Sequence, residues 1–329
     1  MLSLRGVAVI FVAAAALSAG SAFAASEGSF QKTLKVTGLV NLEVDTGSGS
    51  VEIRTGSSSE VSVTGRIRAH NNNWFGGSGS VSPEEKIRRI EANPPIQQSG
   101  NDIRLGHLED PELRRNVSIS FEITVPANAR VRSRSGSGSQ SVSGIQGTTD
   151  VESGSGDVKI TDIGSTVRAS TGSGSIDADH VNGNLRAKTG SGSIRAMSIA
   201  GGLEAETGSG SIHMEQTAPG AVKAHTGSGD IELAGVRGSL DAQTGSGGIH
   251  ADGDPKGSWS VHTGSGTVEL RFPSDASYDL DAETSSGSVS VSQPITVQGN
   301  ISKKQVKGKV RGGGVPVEIR TGSGSVEIL

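Results

Sequence analysis

Apolar and polar side chains alternate along most of this chain, in short runs separated by Gly-Ser bends. The unit from Leu185 to Ala196 shows the pattern: Leu-Arg-Ala-Lys-Thr, Gly-Ser-Gly-Ser and Ile-Arg-Ala. Alternation with a period of two predicts half-buried strands, here two strands joined by a bend. The first Thr or Ser of the unit recurs at Ser135, Ser153, Thr171, Thr189, Thr207, Thr226, Thr244 and Thr263, with degenerate copies at Thr284 and Thr321 and an outlying copy at Thr46. The first eight copies are 18 or 19 residues apart, which predicts a repeat architecture.

The apolar positions of the unit form three columns when the copies are aligned. The first column is Val167, Leu185, Leu203, Val222, Leu240, Trp259 and Leu280, the second is Ala169, Ala187, Ala205, Ala224, Ala242, Val261 and Ala282, and the third is Ile176, Ile194, Ile212, Ile231, Ile249 and Val268. These residues are expected to face inward. Because the middle column is mostly alanine, the predicted core is thin.

Two architectures fit such a repeat. A Gly-containing loop between strands is a hairpin signal and would give an antiparallel meander. In a parallel β-solenoid each residue instead stacks on its equivalent in the next coil, roughly 5 Å away.

Charged residues favour the solenoid, because equivalent outward positions mostly alternate in sign and so avoid cross-strand repulsion. One such column is Lys159, Asp177, Arg195, His213, Glu232, His250 and Glu269, and another is Arg168, Arg186, Glu204, Lys223 and Asp241. Only the steps Arg168–Arg186 and Arg195–His213 break the pattern. We therefore predict an all-β fold, a right-handed parallel β-solenoid (β-helix) of ~18-residue coils.

The region before the repeats is less regular. Strands are predicted over 30–36, 39–45, 51–54, 61–68 and 117–125, and one short helix near 83–92, with Ser82 as N-cap and Pro83 as its first residue. Trp74 and Phe75 lie in a predicted loop, either as a binding tip or as a cover over the end of the core. A charged loop, 107–115, contains His107, Glu109, Asp110 and Glu112, a local cluster with little metal-site character.

Residues 1–24 have the features of a signal peptide: Arg5, an apolar run from Val7 to Leu17, and the cleavage pattern Ala22-Phe23-Ala24. The run is too short to span a ~30 Å bilayer core as an anchor. The predicted organisation is a signal peptide over 1–24, an N-terminal β region with the short helix over 25–130, and a β-solenoid repeat domain over 131–329. The mature chain is expected to be exported, either periplasmic or at the cell surface or secreted, with no transmembrane segment.

Composition excludes several classes of protein. The chain of 329 residues has no Cys, which rules out disulfides, zinc-thiolate sites and an N-terminal lipid on Cys. The net charge of −4 argues against nucleic acid as a partner. The 49 glycines would suit a flexible linker, but the Gly-Ser runs are short, periodic and flanked by Val, Ile and Leu.

Candidate chemistry is sparse, and we predict no catalytic, cofactor-binding or metal site. His213 and His225, like His250 and His262, are 12 residues apart across a bend, which places them on different outward columns. Asp157 and Asp230 follow Gly-Ser-Gly but lack the calcium-binding nonapeptide. The Thr column is expected to face inward, where its hydroxyls bond the bend backbone. Residues 303–311 form a basic run that suits an anionic glycan or lipid, or simply a solvated loop.

The residues resemble a known family. A strand ending in proline, Asn-Val-Ser-Ile-Ser-Phe-Glu-Ile-Thr-Val-Pro over 116–126, leads into the T-G-S-G-S-[IV] units, and the chain then has Arg-Phe-Pro at 271–273 and a closing unit over 317–328 after three glycines. This pattern resembles the bacterial putative-adhesin family, a β-strand-repeat domain of unknown function related to GIN-type adhesin head domains, over roughly residues 30–329. The resemblance implies an envelope-exposed β-solenoid and brings no defined catalytic set.

Three classes of function remain. The leading hypothesis is a non-enzymatic, adhesin-like or scaffold protein that binds a cell-envelope polymer or protein through its flat faces. The alternatives are a periplasmic polysaccharide-active β-helix enzyme and an envelope-stress regulatory module. A sugar-active site usually needs aromatic platforms, whereas Trp259 is expected to face inward and Tyr278 is the only tyrosine.

Overall fold

The computed structural model describes residues 26–70, 81–297 and 302–329, which form two large β-sheets and two helices. The first part contains β1 (Ser26–Lys35), β2 (Asn41–Thr46), β3 (Val51–Thr55), β4 (Glu60–Ala69), α1 (Pro83–Ala92), β5 (Ile96–Ser99), β6 (Asp102–Leu105), α2 (Pro111–Arg114), β7 (Val117–Val125), β8 (Arg130–Ser135) and β9 (Gln140–Ser143). The predicted signal peptide and the pair Trp74 and Phe75 lie outside the described residues.

The repeats supply two strands each, on either side of the Gly-Ser bend. They are β10 (Thr149–Ser153), β11 (Val158–Ile163), β12 (Val167–Thr171), β13 (Ile176–Val181), β14 (Leu185–Thr189), β15 (Ile194–Ile199), β16 (Leu203–Thr207), β17 (Ile212–Gln216), β18 (Val222–Ser228), β19 (Ile231–Val236), β20 (Leu240–Ser246), β21 (Ile249–Gly253), β22 (Trp259–Ser265) and β23 (Val268–Arg271). The last part contains β24 (Tyr278–Ser286), β25 (Val289–Val291), β26 (Ile295–Val297), β27 (Gln305–Val310), β28 (Val315–Ser323) and β29 (Val326–Ile328).

The strand before each bend joins one sheet and the strand after it joins the other. Sheet A runs in the order β1-β4-β7-β3-β9-β11-β13-β15-β17-β19-β21-β23-β29-β25, and sheet B in the order β26-β27-β24-β28-β22-β20-β18-β16-β14-β12-β10-β8-β2-β6-β5. Repeat strands pair in parallel with their equivalents: Val167 with Leu185, and Leu185 with Leu203. The predicted solenoid-like stacking of parallel strands is confirmed, and the antiparallel meander is wrong for the repeats.

The core lies between the two sheets and includes the predicted apolar columns, together with a further column of sheet A that contains Ile163, Val181 and Ile199. Leu185, Ala187 and Ile194 are each at most 2% exposed, and the equivalent residues of the other coils are buried in the same way. A single layer of side chains from each sheet therefore fills the interior, and alanine in the middle column keeps it narrow.

Glycine is required where the coils approach each other at the bend. A Cβ built on Gly192 would lie 2.0 Å from the carbonyl oxygen of Gly174 in the preceding coil, closer than any real contact. The second glycine of each T-G-S-G unit thus allows the backbones of neighbouring coils to approach closely, even where its φ is one that any residue can adopt.

The N-terminal end adds two pairs of strands to the repeats. β2 and β3 stack on β8 and β9. β6 and β7 then pair with the opposite edges of β2 and β3, although they come later in the chain. Helix α1 begins after Ser82, whose Oγ accepts the Glu85 N–H, and buries Ile87 and Ile90. We predicted only one helix here, but the structure has a second. In α2, Asp110 is the N-cap, and Lys86 Nζ donates to Arg115 O at 2.8 Å beyond its last residue.

The C-terminal end departs from sequential stacking. The alignment of repeats placed Leu280 next to Trp259, but Val317 of β28 lies between them and pairs with both. The final coil, β28 and β29, is therefore inserted between β22–β23 and β24–β25. The sequence could not distinguish these orders because every unit presents the same apolar columns to its neighbours.

Candidate binding face

The outward side chains of sheet B form two charged columns, which we call the binding face. The first column is Glu43, Arg132, Asp150, Arg168, Arg186, Glu204, Lys223 and Asp241, and the second is Asp45, Arg134, Glu152, Ser170, Lys188, Glu206, His225, Gln243 and His262. Residues one coil apart are register partners. The sequence analysis found the first column from Arg168 to Asp241 but missed the second, although the same alternation marks it.

The middle of the binding face is an ion-pair cluster that crosses coils. Lys188 Nζ lies 2.5 Å from Glu206 Oε2, and Lys223 Nζ lies 3.5 Å from Glu206 Oε1. Arg186 pairs with Glu204 at 3.2 Å. The hydrogen bond from Lys188, with the nearby charge of Lys223, lowers the pKa of the Glu206 carboxyl to about 2. The cluster therefore favours the ionised form of this carboxyl.

Toward the N-terminal end, one arginine joins three carboxylates. Arg134 lies 3.5 Å from Glu43, 3.9 Å from Asp45 and 3.3 Å from Glu152. These side chains come from β2, β8 and β10, so the arginine links three successive coils of the binding face.

Toward the C-terminal end, a second arginine, in the inserted coil, also joins three carboxylates, which come from β24 and from its own strand β28. Arg320 contacts Asp281, Glu283 and Glu318 at 3.1 to 3.7 Å. The predicted basic run is not a loop beyond Lys304, because β27 places Lys307 opposite Asp281, 3.1 Å away. Lys307 therefore extends the ion-pair ladder.

Grooves border the binding face on both edges. Along the bend edge, two grooves of 630 and 640 Å³ flank Arg134 and Arg320, and one of 460 Å³ lies between them beside Lys188. Along the opposite edge run a groove of 730 Å³ beside Arg168 and one of 440 Å³ beside Lys223. All five are open, and all five are lined by sheet B residues. The binding face is thus a charged strip with a trough on each side.

The outward face of sheet A carries fewer ion pairs. The predicted column from Lys159 to Glu269 lies in register from coil to coil. Within the described residues, however, only two pairs in this column lie within 4.0 Å: His213–Glu232 at 2.7 Å and His250–Glu269 at 3.9 Å.

Buried threonines at the Gly-Ser bend form hydrogen bonds that fix the backbone along the bend edge of sheet B. Thr189 Oγ1 donates to Gly174 O at 2.7 Å and accepts the Gly192 N–H at 3.2 Å. The same donated bond recurs from Thr171 to Thr263 in each coil. The prediction that these hydroxyls face inward and bond the bend backbone is confirmed.

Other candidate residues from the sequence are separated or already bonded. His213 and His250 lie on sheet A, whereas His225 and His262 lie on sheet B. Among the described residues no group of three or more His, Asp or Glu side chains is placed to hold a metal ion. Asp157 accepts the Ser175 N–H and Asp230 accepts the Gly248 N–H, both at 2.8 Å and both one coil away.

The large aromatic side chains of the C-terminal region lie in the core. Trp259, Phe272 and Tyr278 pack with ring centroids 4.7 to 5.0 Å apart. The Tyr278 hydroxyl donates to Gln293 Oε1 at 3.1 Å, and burial raises its pKa to about 12. These rings stabilise the core and offer no platform to a sugar on the binding face.

A family model described as Toastrack DUF4097 matches residues 165–329. The chain belongs to the Toastrack family. The matched range contains β12 to β29 and so includes the inserted coil. This membership confirms the resemblance to an adhesin-like domain of unknown function. No curated protein matches this Toastrack chain.

Solved structures are similar only at a low level. A putative adhesin from Parabacteroides distasonis matches with 13% identity and a TM-score of 0.42, covering 92% of this chain and 97% of its own. A putative lipid binding protein from the same organism matches with 12% identity and a TM-score of 0.42, covering 92% and 96%. A putative adhesin from Bacteroides fragilis matches with 10% identity and a TM-score of 0.30, covering 92% and 97%. The assignment of this Toastrack chain therefore rests on the family model.

Proposed function

We propose that this protein is a non-enzymatic, exported envelope protein that binds another macromolecule, a cell-envelope polymer or protein, through the binding face of sheet B. The observation that supports this most is the asymmetry of the two sheets. The outward face of sheet B carries cross-coil ion-pair clusters between grooves, and the main outward column of sheet A has two histidine–carboxylate contacts. A long strip of this kind suits recognition by many weak contacts that combine.

Export is proposed from the signal-peptide features of residues 1–24. Within the described residues, no helix is both long and apolar enough to cross a bilayer. For the coil itself we propose right-handed winding with about 18 residues per turn, because parallel crossovers almost always have that hand.

The non-enzymatic part of the proposal is supported by how ionisable groups are used. Glu206, Arg134 and Arg320 each bind oppositely charged neighbours one coil away. A catalytic site instead needs groups that converge in a pocket, where burial prepares them for proton transfer.

Site-specific cross-linking in intact cells tests the proposal. A photoreactive residue replaces Gln243, which is outward on sheet B, and a matched control replaces Asp177, which is outward on sheet A. We expect adducts of defined mass from position 243 and few from position 177. Equal adducts from both, or turnover of a polysaccharide in a zymogram, would contradict the proposal.

A further inference from the structure

In the two columns of the binding face, within the described residues, one step brings like charges together, and it is at Arg168. Arg168 and Arg186 are register partners on neighbouring coils, and like charges in that relation repel. Arg186 is neutralised by Glu204 at 3.2 Å. On the other side, Asp150 lies 3.8 Å from Arg132. Within the described residues Arg168 therefore has no ion pair and no side-chain hydrogen bond.

This arginine lies in the largest of the five grooves, with a volume of 730 Å³. Thr166 and Asn184 line the same groove, and the Arg168 side chain points outward into solvent. Asn184 Oδ1 accepts the Gly202 N–H at 2.9 Å, which leaves the two Nδ2 hydrogens of that amide available to a ligand. The Arg168 guanidinium, the Asn184 amide and the Thr166 hydroxyl therefore offer hydrogen-bond donors within one groove.

The pairing of charges in the groove leaves Arg168 without a counter-ion. Asp150 and Glu204 also line the groove and balance Arg168 and Arg186 in number, but each carboxylate lies against an arginine other than Arg168. Within the described residues, Arg168 is therefore the arginine of this groove that a bound anion could pair with. Its planar fork matches the oxygens of a carboxylate or a phosphate in a bidentate fashion.

We propose that the groove at Thr166, Arg168 and Asn184 binds an anionic oxygen group, a carboxylate or a phosphate, of the macromolecule that lies on the binding face. The inference rests on the proposed function and specifies its ligand chemistry. It also explains the repulsive Arg168–Arg186 step, since local violations of good pairing are expected at functional sites.

Anion titration of the whole mature chain tests the inference. Inorganic phosphate and acetate are added separately, and amide chemical shifts of residues 166–168 and 184–186 are followed by NMR. The variants are Arg168→Gln and Arg168→Lys. The matched control is Arg195→Gln, which removes an exposed arginine of sheet A that also has no ion pair within the described residues.

We expect saturable shifts at these amides in the wild type. Arg168→Gln should weaken binding about tenfold or more, as for loss of a charge-assisted hydrogen bond, and Arg168→Lys should weaken it less. Arg195→Gln should have no effect. Stronger binding of phosphate favours a phosphorylated ligand, and stronger binding of acetate favours a carboxylated one.

The inference is overturned if neither anion shifts these amides, or if Arg168→Gln and Arg195→Gln act alike. Cross-linking at position 243 separates this outcome from failure of the proposed function. Wild-type adducts without any anion-dependent shift would leave the binding face standing and remove the anion site, whereas anion binding without adducts would do the reverse.

Discussion

The hydroxyl of Thr189 donates a hydrogen bond to the carbonyl oxygen of Gly174, 15 residues earlier and one coil away, at 2.7 Å. The same hydroxyl accepts the N–H of Gly192 within its own bend. Each threonine of this column therefore ties its bend to the preceding one, in addition to the backbone ladder.

Replacing Thr189 by valine tests this tie. Valine keeps the shape but leaves a buried carbonyl and a buried N–H without their partner, so we expect the free energy of unfolding to fall by about 1 to 3 kcal/mol in urea titrations. Thr189→Ser is the control, because Ser135 and Ser153 make the equivalent bonds in their own coils. A serine variant as unstable as the valine variant would assign the effect to the lost methyl group.

Two serines on β8 should respond to alanine in opposite directions. Ser133 Oγ is buried in the core and has no hydrogen-bond partner in the described part of the chain, at the position where Ala169 and Ala187 stand in later coils. Ser135 Oγ accepts the Gly138 N–H at 2.8 Å. Because an unsatisfied buried hydroxyl is unfavourable, Ser133→Ala should raise the midpoint of thermal unfolding, and Ser135→Ala should lower it. Shifts in the same direction would contradict this assignment of the two side chains.

Alternation along β20 predicts a sharp contrast between adjacent positions. Ala242 is fully buried and Gln243 is exposed. Ala242→Lys forces a charge into a column with no space for it, whereas Gln243→Lys only adds a charge to the binding face. We expect the first variant to unfold at a much lower urea concentration and the second to stay within about 0.5 kcal/mol of the wild type. Similar circular dichroism melts for the two would show that the inward and outward assignments are wrong.

The stability of the central cluster should depend on pH through Glu206. Its folded pKa of about 2 lies below the ordinary value of 4.5, so the folded state favours the ionised carboxyl. The stabilisation is complete well above pH 4.5 and is lost as the pH falls toward 2. Urea unfolding should show Glu206→Gln to be less stable at pH 7, and the difference from the wild type should shrink as the pH falls from 4.5 through 2. The side chain is about one-third exposed, so the difference should be modest and smaller in high salt.

A double-mutant cycle with Lys188→Gln assigns this pH dependence to the pair. The coupling between positions 188 and 206 should be measurable at pH 7 and should weaken as the pH falls through 2. A coupling that does not change with pH would mean that the hydrogen bond between Lys188 and Glu206 is not its source.

The sequence predicts coils and faces well but not the order of coils at the ends. Periodicity is a local property, so inward residues such as Leu185 and Ala187, and outward ones such as Arg186, follow from parity alone. Which unit lies next to which depends on contacts between nearly identical columns. Val317 and Leu280 both present an aliphatic side chain in the column of Trp259, so the sequence does not distinguish them as its neighbour. The short strands β5 and β6 escaped prediction because four residues between turns give too little alternation to recognise.

For the candidate anion site, the sequence shows the charge pattern but not the side-chain contacts. The Arg168–Arg186 step was visible in the sequence as a break in alternation, because it depends only on the repeat period. That Asp150 approaches Arg132 rather than Arg168, and that Asn184 turns its oxygen to Gly202, depends on side-chain geometry. No spacing rule contains that information.

The inserted coil gives a prediction that separates it from sequential stacking. Ile319 of β28 is fully buried and pairs with Val261 on one side and Ala282 on the other. Ile319→Lys places a charge between the two coils, so the whole segment from β24 to β29 should lose its support. Hydrogen exchange should then show amides of β24 and β27 exchanging much faster, while β12 to β18 keep their protection, because coils contact mainly their neighbours. Glu327→Lys, an outward change in the same coil, should leave exchange unaltered. If β24 stayed protected in Ile319→Lys, the final coil would be an ordinary terminal repeat and β24 would pack directly against β22.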